Sequence, residues 1–218
     1  MSEIELTLKR LQTDYLDLYI IHRWDEFTPI EETMEALHDL VKSGKVRYIG
    51  ASSMYAWQFA KAQQVAKERG WTQFVSMQNK YNLFYREEER EMIPLLQDQK
   101  IAMTPYQPLA GGRLARFKDD QTVRAESQAA NKSSTVLYSD ECENEINNRV
   151  EELAKKYNVG KSIISMSWIF SKSFITSALI GSSKTQQLDD AVLALNFKLS
   201  NDDIKYLEDA YIPHFLRF

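Results

Sequence analysis

The stretch TPIEETMEALHDLVKSGKVRYIGAS, residues 28–52, combines an amphipathic helix with the apolar strand that follows it. One helix face carries the apolar residues Ile30, Met34, Leu37 and Val41. Pro29 occupies a first helical position and Gly44 follows the last periodic residue, which predicts a helix over residues 29–43. The run VRYIGAS then predicts a strand over residues 46–52. A helix joined to a strand in this way is the repeating unit of α/β folds.

The same alternation continues in both directions along the chain. Further strands are predicted at residues 17–22, 74–79, 101–107 and 177–183. Helices are predicted at residues 3–12, 55–69, 86–98, 145–157, 160–170, 185–195 and 200–209, with the charged run 86–90 as a solvated helix start. Residues 115–144 have no apolar period and predict a long loop. Apolar strands that alternate with helices favour an α/β fold, a parallel sheet buried on both faces, and one domain over residues 1–218.

The composition excludes several classes of protein. The chain has 218 residues, 44% hydrophobic and 27% charged, with a net charge of −4, so no basic surface indicates a nucleic-acid partner. No apolar run approaches the roughly 18–20 residues of a membrane span, and the first residues lack a signal-peptide core, which together predict a cytoplasmic protein. A single cysteine and three histidines on unrelated elements predict neither an internal disulfide nor a metal site.

His22 ends the apolar strand predicted at residues 17–22. One interpretation is a hydrogen-bonded histidine with a structural role. The alternative is a catalytic or binding residue, because the carboxyl ends of strands point into the active-site mouth in this class of fold. Arg23 and Trp24 follow directly and would line the same mouth.

The other predicted strands also end in polar residues. Ser52 and Ser53 offer hydroxyls, and Gln78 and Asn79 offer side-chain amides. The fourth strand runs into the string Tyr106-Gln107-Pro108-Leu109-Ala110-Gly111-Gly112-Arg113, and the last into Gly181-Ser182-Ser183-Lys184. Backbone N–H groups at a helix start, together with hydroxyls and an ammonium group, are typical of a phosphate site. Turn formation and helix capping explain each motif singly, whereas polar residues at five successive strand ends favour a ligand site.

Five stretches, taken in order, resemble signatures of the aldo-keto reductase superfamily. They are LKRLQTDYLDLYIIH, GKVRYIGASS, the string from Gln78 through Tyr81-Asn82-Leu83, PYQPLAGGRL and ALIGSSKTQQLDDA. The resemblance covers residues 3–210 and is strongest to the fungal aryl-alcohol dehydrogenase-like branch. It implies a TIM (β/α)8 barrel and the NADPH-dependent reduction of aldehydes and ketones to alcohols.

Carried over residue by residue, the resemblance implies that His22 is the catalytic histidine that orients the substrate carbonyl. The nicotinamide amide would be held by Ser52, Ser53 and Gln78, and the nicotinamide ring would stack on Tyr106. The pyrophosphate loop would contain Gln107, Leu109, Gly111 and Arg113. The adenosine 2′-phosphate would be held by Gly181, Ser182, Ser183, Lys184 and Gln187. Because Ser183 stands where family members usually carry Arg or Lys, NAD is possible in place of NADP. Substrate contacts are expected from Arg23 and Trp24.

The resemblance begins at the fourth strand of such a barrel. We therefore expect an incomplete barrel of about five of the eight strand-helix units, strands 4 to 8, lacking the N-terminal third. The first three strands bring the catalytic Asp, Tyr and Lys in the family, and no tyrosine here matches the proton donor. Loss of a general acid typically lowers a rate by about 10²–10⁴-fold, so the isolated chain is expected to be weakly active or inactive.

Three interpretations of function remain open. The chain is part of an NAD(P)H-dependent oxidoreductase that acts on a small carbonyl or alcohol substrate; or it is an inactive remnant that binds a nucleotide; or it is a regulatory protein that docks on a full-length relative. The third interpretation rests on the open barrel edge, since unpaired strand edges are templates for pairing with other chains.

Overall fold

The computed structural model describes residues 2–117 and 140–213 of the chain. They divide into two compact units. The first unit contains residues 2–79 and 89–104 and carries a parallel sheet with its helices. The second contains residues 80–88, 105–117 and 140–213 and is mainly helical.

The first unit alternates helices and strands as the sequence predicts. Its elements are α1 (Ser2–Leu11), β1 (Leu16–Ile21), α2 (Ile30–Lys42), β2 (Val46–Ser52), α3 (Ala56–Arg69), β3 (Phe74–Gln78), α4 (Met92–Gln99) and β4 (Ala102–Met103). The second unit contains a 3₁₀ turn (Ala110–Gly112), α5 (Asp140–Tyr157), α6 (Lys161–Phe170), α7 (Thr185–Asn196) and α8 (Asn201–Glu208). Another 3₁₀ turn spans Glu87–Glu89.

The sheet contains four parallel strands in the order β1-β2-β3-β4, which confirms the predicted α/β class and parallel pairing. Leu18 pairs with Tyr48 in register, and Ser52 pairs with Gln78. Because the strands are parallel, their carboxyl ends lie along one edge of the sheet. β1 is an edge strand, and Leu18 and Tyr48 are 38% and 56% exposed. The expectation that the strands are buried on both faces is therefore wrong: β1 has no buried residue, and β2 and β3 expose Tyr48 and Val75.

The core of the first unit forms where the helices cover the sheet. Phe59 of α3 stacks on Phe74 of β3 with ring centroids 5.7 Å apart, and both side chains are buried. The Gln63 side chain accepts the Phe74 N–H at 2.8 Å and donates to the Phe74 carbonyl at 3.0 Å. Burial of one such large apolar side chain stabilises the fold by about 1.5–3 kcal/mol, and the glutamine bonds fix where β3 begins.

The core of the second unit is built around aromatic rings and small residues. Trp168 of α6 is fully buried and stacks on Tyr81 with centroids 5.3 Å apart. Ala191 and Ala194 present α7 to α6, and the Ser167 hydroxyl donates to the Ala194 carbonyl at 3.0 Å. Small side chains on α7 allow this close approach of the two helices.

Residues 177–183 do not form the predicted fifth strand, and β4 is much shorter than the predicted strand 101–107. Leu179 donates its N–H to the Pro105 carbonyl at 2.9 Å. Pro105 has no N–H with which to extend this contact into a ladder.

The helix predicted over residues 86–98 is divided into the 3₁₀ turn and α4. Pro94 lies in the first turn of α4, where its missing N–H is harmless, but its ring would clash with a helical carbonyl four residues earlier. The prediction of a solvated helix start is also wrong, since Glu87 and Glu88 are buried. The hydroxyl of Tyr211 donates to Glu87 at 2.7 Å and accepts the Arg86 N–H at 2.9 Å.

The predicted loop 115–144 overlaps the described residues only at its ends, because residues 118–139 lie outside them. At its C-terminal end the prediction is wrong, since α5 already begins at Asp140. Cys142, Ile146 and Val150 are buried at helical spacing, so the cysteine belongs to the apolar stripe of this helix. Within the described part of the chain, no helix has the length and apolarity needed to cross a membrane.

Candidate active site

His22 follows β1 directly, at the carboxyl edge of the sheet, and its side chain is exposed. Within residues 2–117 and 140–213, no hydrogen bond or ion pair holds its imidazole. The described residues therefore offer no support for a hydrogen-bonded structural role of His22, and its assignment stays a prediction. Arg23 is likewise exposed, and Trp24 is half-buried.

The segment after β1 is folded by the Asp25 carboxylate, which accepts the Phe27 N–H at 2.9 Å and the Thr28 hydroxyl at 2.6 Å. The hydrogen bond from Thr28, followed by that from Phe27, lowers the pKa of Asp25. Asp25 is therefore ionised at neutral pH and fixes the direction in which the chain leaves Trp24.

Ser52 and Gln78 end β2 and β3 side by side, so the structure brings these two predicted residues together. The Ser52 hydroxyl donates to the Gln78 backbone carbonyl at 2.7 Å. The Gln78 side chain is half-buried, and its amide makes no hydrogen bond within the described residues. An amide with an unused donor and acceptor suits recognition of another amide.

Ser53 adjoins the same pair, with its hydroxyl 3.2 Å from that of Ser52. Its backbone has φ of 48°, a left-handed conformation that is strained for a residue with a Cβ. The fully buried Asn79 accepts the Ser53 N–H at 3.2 Å. Asn79 therefore shapes the backbone at Ser53. From its position after a strand, the sequence could not tell this structural role from a contact to a ligand.

In the second unit, Tyr106 is half-buried and forms a parallel bridge with Lys80. Gln107 is exposed and has φ of 55°. The Asn82 side chain donates to the Gln107 carbonyl at 3.0 Å. This bond fixes the turn that starts the predicted pyrophosphate loop.

The rest of that loop is tightly wound. Gly111 has φ of 67°, which favours glycine at this position. Leu109 is half-buried against the apolar cluster shared by α6 and α7, so its side chain has a packing role. Arg113 forms a bidentate ion pair with Glu143 of α5, with Nη1 2.7 Å from Oε1 and Nη2 close to Oε2. The Glu143 side chain is 4% exposed, and sequence reasoning did not identify it.

The segment Gly181 to Lys184 is exposed just before α7. Gln187 is used locally: its side chain accepts the N–H of Ser183 at 2.8 Å and of Lys184 at 3.3 Å. Gln187 thus caps the start of α7 and shapes the turn. The exposed groups that remain for an anion include the hydroxyls of Ser182 and Ser183 and the ammonium group of Lys184.

Each unit therefore presents polar groups of a different kind. In the first, an exposed imidazole and a half-buried amide lie at the carboxyl edge of the sheet and can recognise neutral polar groups. In the second, hydroxyls and an ammonium group precede α7 and can bind a phosphate. An aromatic residue that the motifs did not indicate, Trp57 of α3, contacts Trp24 in the first unit.

Comparison with known proteins assigns the chain to a family. Residues 1–212 match the aldo/keto reductase family. An aldo-keto reductase from Fusarium vanettenii is 46% identical over 212 residues, covering 97% of this chain and 57% of that protein. A Schizosaccharomyces pombe protein provisionally named as an aryl-alcohol dehydrogenase is 46% identical over 217 residues, covering 96% of this chain and 59% of its own length.

A versiconal hemiacetal acetate reductase from Aspergillus parasiticus is 40% identical over 214 residues, covering 98% of this chain and 62% of that protein. The chain thus spans between 57% and 62% of the length of these relatives. Such identity over nearly all of this chain confirms the resemblance that its strand-end motifs indicate. The chain belongs to the aldo/keto reductase family.

Proposed function

We propose that this chain binds NAD(P)H and contributes to the interconversion of aryl aldehydes or ketones and their alcohols. The observation that carries the proposal is that an exposed His22, after β1, and a half-buried Gln78 amide with no hydrogen bond in the described residues, at the end of β3, lie at the same carboxyl edge of one sheet. Family membership and the names of the relatives supply the reaction class.

The residues fit a dinucleotide in chemical terms. A nicotinamide carboxamide needs both a donor and an acceptor, and the Gln78 amide supplies both, with the Ser52 and Ser53 hydroxyls beside it. Stacking of the nicotinamide ring on Tyr106, which the family resemblance implies, stays a prediction. For a phosphate, the exposed Lys184, helped by Ser182 and Ser183, supplies positive charge and hydroxyls at the start of α7.

The structure argues against the role of Arg113 as a pyrophosphate contact, which the resemblance implied. The charge of Arg113 is compensated by a buried carboxylate, and release from Glu143 would leave that carboxylate unpaired at a cost of about 3–5 kcal/mol. We therefore propose that Arg113 does not contact the pyrophosphate, and we keep Lys184 and its neighbouring serines for the 2′-phosphate.

When bound, NAD(P)H supplies a hydride for the substrate carbonyl carbon. The role proposed for His22 is to donate an imidazole N–H to the carbonyl oxygen, where negative charge develops. No hydrogen bond within the described residues competes for this imidazole. Arg23 and Trp24 follow His22 along the chain and are proposed to contact the substrate.

The proposal is tested by measuring NADPH binding to the purified chain through nicotinamide fluorescence. The affinity for 2′-phospho-ADP-ribose, which lacks nicotinamide, is measured from its displacement of NADPH. Gln78→Leu should weaken NADPH binding about tenfold, the effect of losing one or two hydrogen bonds, and leave the other probe unaffected. Gln64→Leu, which alters an exposed glutamine of α3, is the matched control. Absence of NADPH binding to the wild-type chain, or equal losses for both probes, would contradict the proposal.

The same assay decides between the cofactors. If Lys184 binds the 2′-phosphate, Lys184→Met should weaken NADPH binding more than NADH binding, because only NADPH carries that group. His22→Gln should leave both affinities unchanged while reducing any turnover of an aryl alcohol.

A further inference from the structure

Two tryptophans lie together at the carboxyl edge of the sheet. Trp24 is three residues beyond β1, and Trp57 lies in the first turn of α3, which follows β2. Their ring centroids are 5.9 Å apart and their planes are tilted by 58°. A tilted pair at this distance is a favourable aromatic arrangement.

The backbone next to each ring is held by hydrogen bonds. The Asp25 turn directly after Trp24 sets the direction of its segment. Next to Trp57, the Gln58 side chain accepts the Tyr55 N–H at 2.9 Å and Phe59 is anchored on the sheet. Because Gln58 and Phe59 face the core, Trp57 projects away from it.

Packing does not account for this exposure. Trp57 is 58% exposed, although burial of an indole is among the largest apolar gains available to a fold. His22, two residues before Trp24 in the chain, is also exposed. An exposed aromatic pair, one member of which follows a candidate catalytic residue by two positions, is a candidate ligand surface rather than part of a core.

We propose that Trp57, together with Trp24, forms the surface that binds the aromatic ring of the substrate, with Trp57 as a specificity-determining residue. Because the two indoles are tilted by 58°, a planar ring that stacks on the face of one indole can meet the edge of the other. Stacked and edge-to-face contacts are the two arrangements that aromatic rings prefer. A saturated ring of similar size lacks the flat face that such contacts require. The inference rests on the proposed function and names the feature of the substrate that this surface selects.

The test compares benzyl alcohol with cyclohexylmethanol, two alcohols of similar size of which only the first is aromatic. Binding of each to the NADP⁺-saturated chain is measured by ligand-observed NMR, which does not require turnover. Trp57→Leu should weaken benzyl alcohol binding about three- to tenfold, leave cyclohexylmethanol nearly unchanged, and abolish the preference for the aromatic alcohol. Trp57→Phe should retain most of the preference.

Trp71 provides a matched control, since it lies just beyond the opposite end of α3 and is half-buried. Trp71→Leu should leave both affinities at their wild-type values. Equal losses for the two alcohols in Trp57→Leu, or the same loss in Trp71→Leu, would overturn the inference. A wild-type chain that binds NADPH without preferring benzyl alcohol would overturn it and leave the proposed function standing, whereas failure to bind NADPH would overturn the proposed function itself.

Discussion

Asp203, in the first turn of α8, offers a direct test of the electrostatics of the second unit. Its side chain is buried and accepts hydrogen bonds from Lys156 at 2.7 Å, from the Ser200 hydroxyl at 2.6 Å and from the Tyr157 hydroxyl. Asp203→Asn removes the negative charge and keeps the size of the side chain. We expect this variant to lower the free energy of unfolding at neutral pH and to lose most of that effect in acid.

The magnitude follows from the pKa of the Asp203 carboxyl. Burial alone would raise this pKa, but the hydrogen bonds from Lys156, Ser200 and Tyr157 outweigh it and lower the pKa from 3.8 to about 2. That lowering corresponds to about 2 kcal/mol of preference for the ionised form in the folded state. Since the Lys156 side chain is 56% exposed, solvent screens its share, and we expect an effect of about 1–2 kcal/mol.

The sign of the pH dependence is fixed by the lowered pKa. The folded state holds this proton less tightly than the unfolded state, so the stabilisation is fully present above the unfolded pKa near 3.8. It is lost as the pH falls from there towards about 2. The difference in stability between wild type and Asp203→Asn should therefore be constant from pH 7 to 5 and narrow below pH 4.

The assay is urea unfolding followed by tryptophan fluorescence at several pH values. Asp202→Asn is the matched control, because it removes an exposed carboxylate from the same first turn and should cost only about 0.5 kcal/mol through the helix dipole. A difference for Asp203→Asn that stays constant down to pH 3 would refute the reasoning, since it would then reflect packing rather than charge. No difference at pH 7 would refute it as well.

Two further predictions concern the carboxyl half of the sheet, both read by urea unfolding. Gly50→Ala should destabilise the chain by about 1–3 kcal/mol, because the added Cβ would lie 2.4 Å from the Ser76 Oγ. Adding Ser76→Ala should restore part of this loss, whereas losses that simply add in the double variant would contradict the clash. Ser53→Gly should be more stable than Ser53→Ala by about 1 kcal/mol, because both variants lose the hydroxyl and only the alanine keeps a Cβ at φ of 48°. Equal stability of the two variants would argue against backbone strain at this position.

The sequence predicted correctly those helices and strands whose apolar periodicity and terminal residues lie within or next to the element itself. The helix predicted over residues 29–43 is Ile30–Lys42, with Pro29 directly before it and Ser43 after it. The strand predicted over residues 46–52 is Val46–Ser52. Apolar periodicity and terminal residues sufficed here, because the face that the pattern buries is the face that the sheet covers.

Features that depend on distant partners could not be predicted in this way. The burial of Glu87 depends on Tyr211, 124 residues away, and no charge pattern near Glu87 indicates that hydroxyl. Within the strand predicted at residues 177–183, Leu179 donates its N–H to the carbonyl of Pro105, which lies in another predicted element. The pairing of Arg113 with Glu143 likewise joins two segments 30 residues apart. The motifs indicated which residue types carry chemistry, whereas these partners decide which of them are committed to structure.

Backbone strain in the described residues is concentrated where the motifs point. Six residues other than glycine have positive φ: Gln12, Lys100, Asn158, Ser53, Gln107 and Ala110. The first three directly follow helices, where a left-handed residue is ordinary. The other three lie in loops that follow strands and that the sequence motifs indicated as ligand-binding.

Such strain costs about 1–2 kcal/mol per residue and persists only where neighbouring groups fix the backbone. Two buried asparagines supply that constraint, each within its own unit. Asn79 accepts the N–H of Ser53, and Asn82 donates to the carbonyl of Gln107. The sequence motif that contains both asparagines therefore does more than offer amides to a ligand. Because both side chains are fully buried and bond to strained backbone, they stabilise the Ser53 and Gln107 turns in conformations that are unfavourable for the isolated chain.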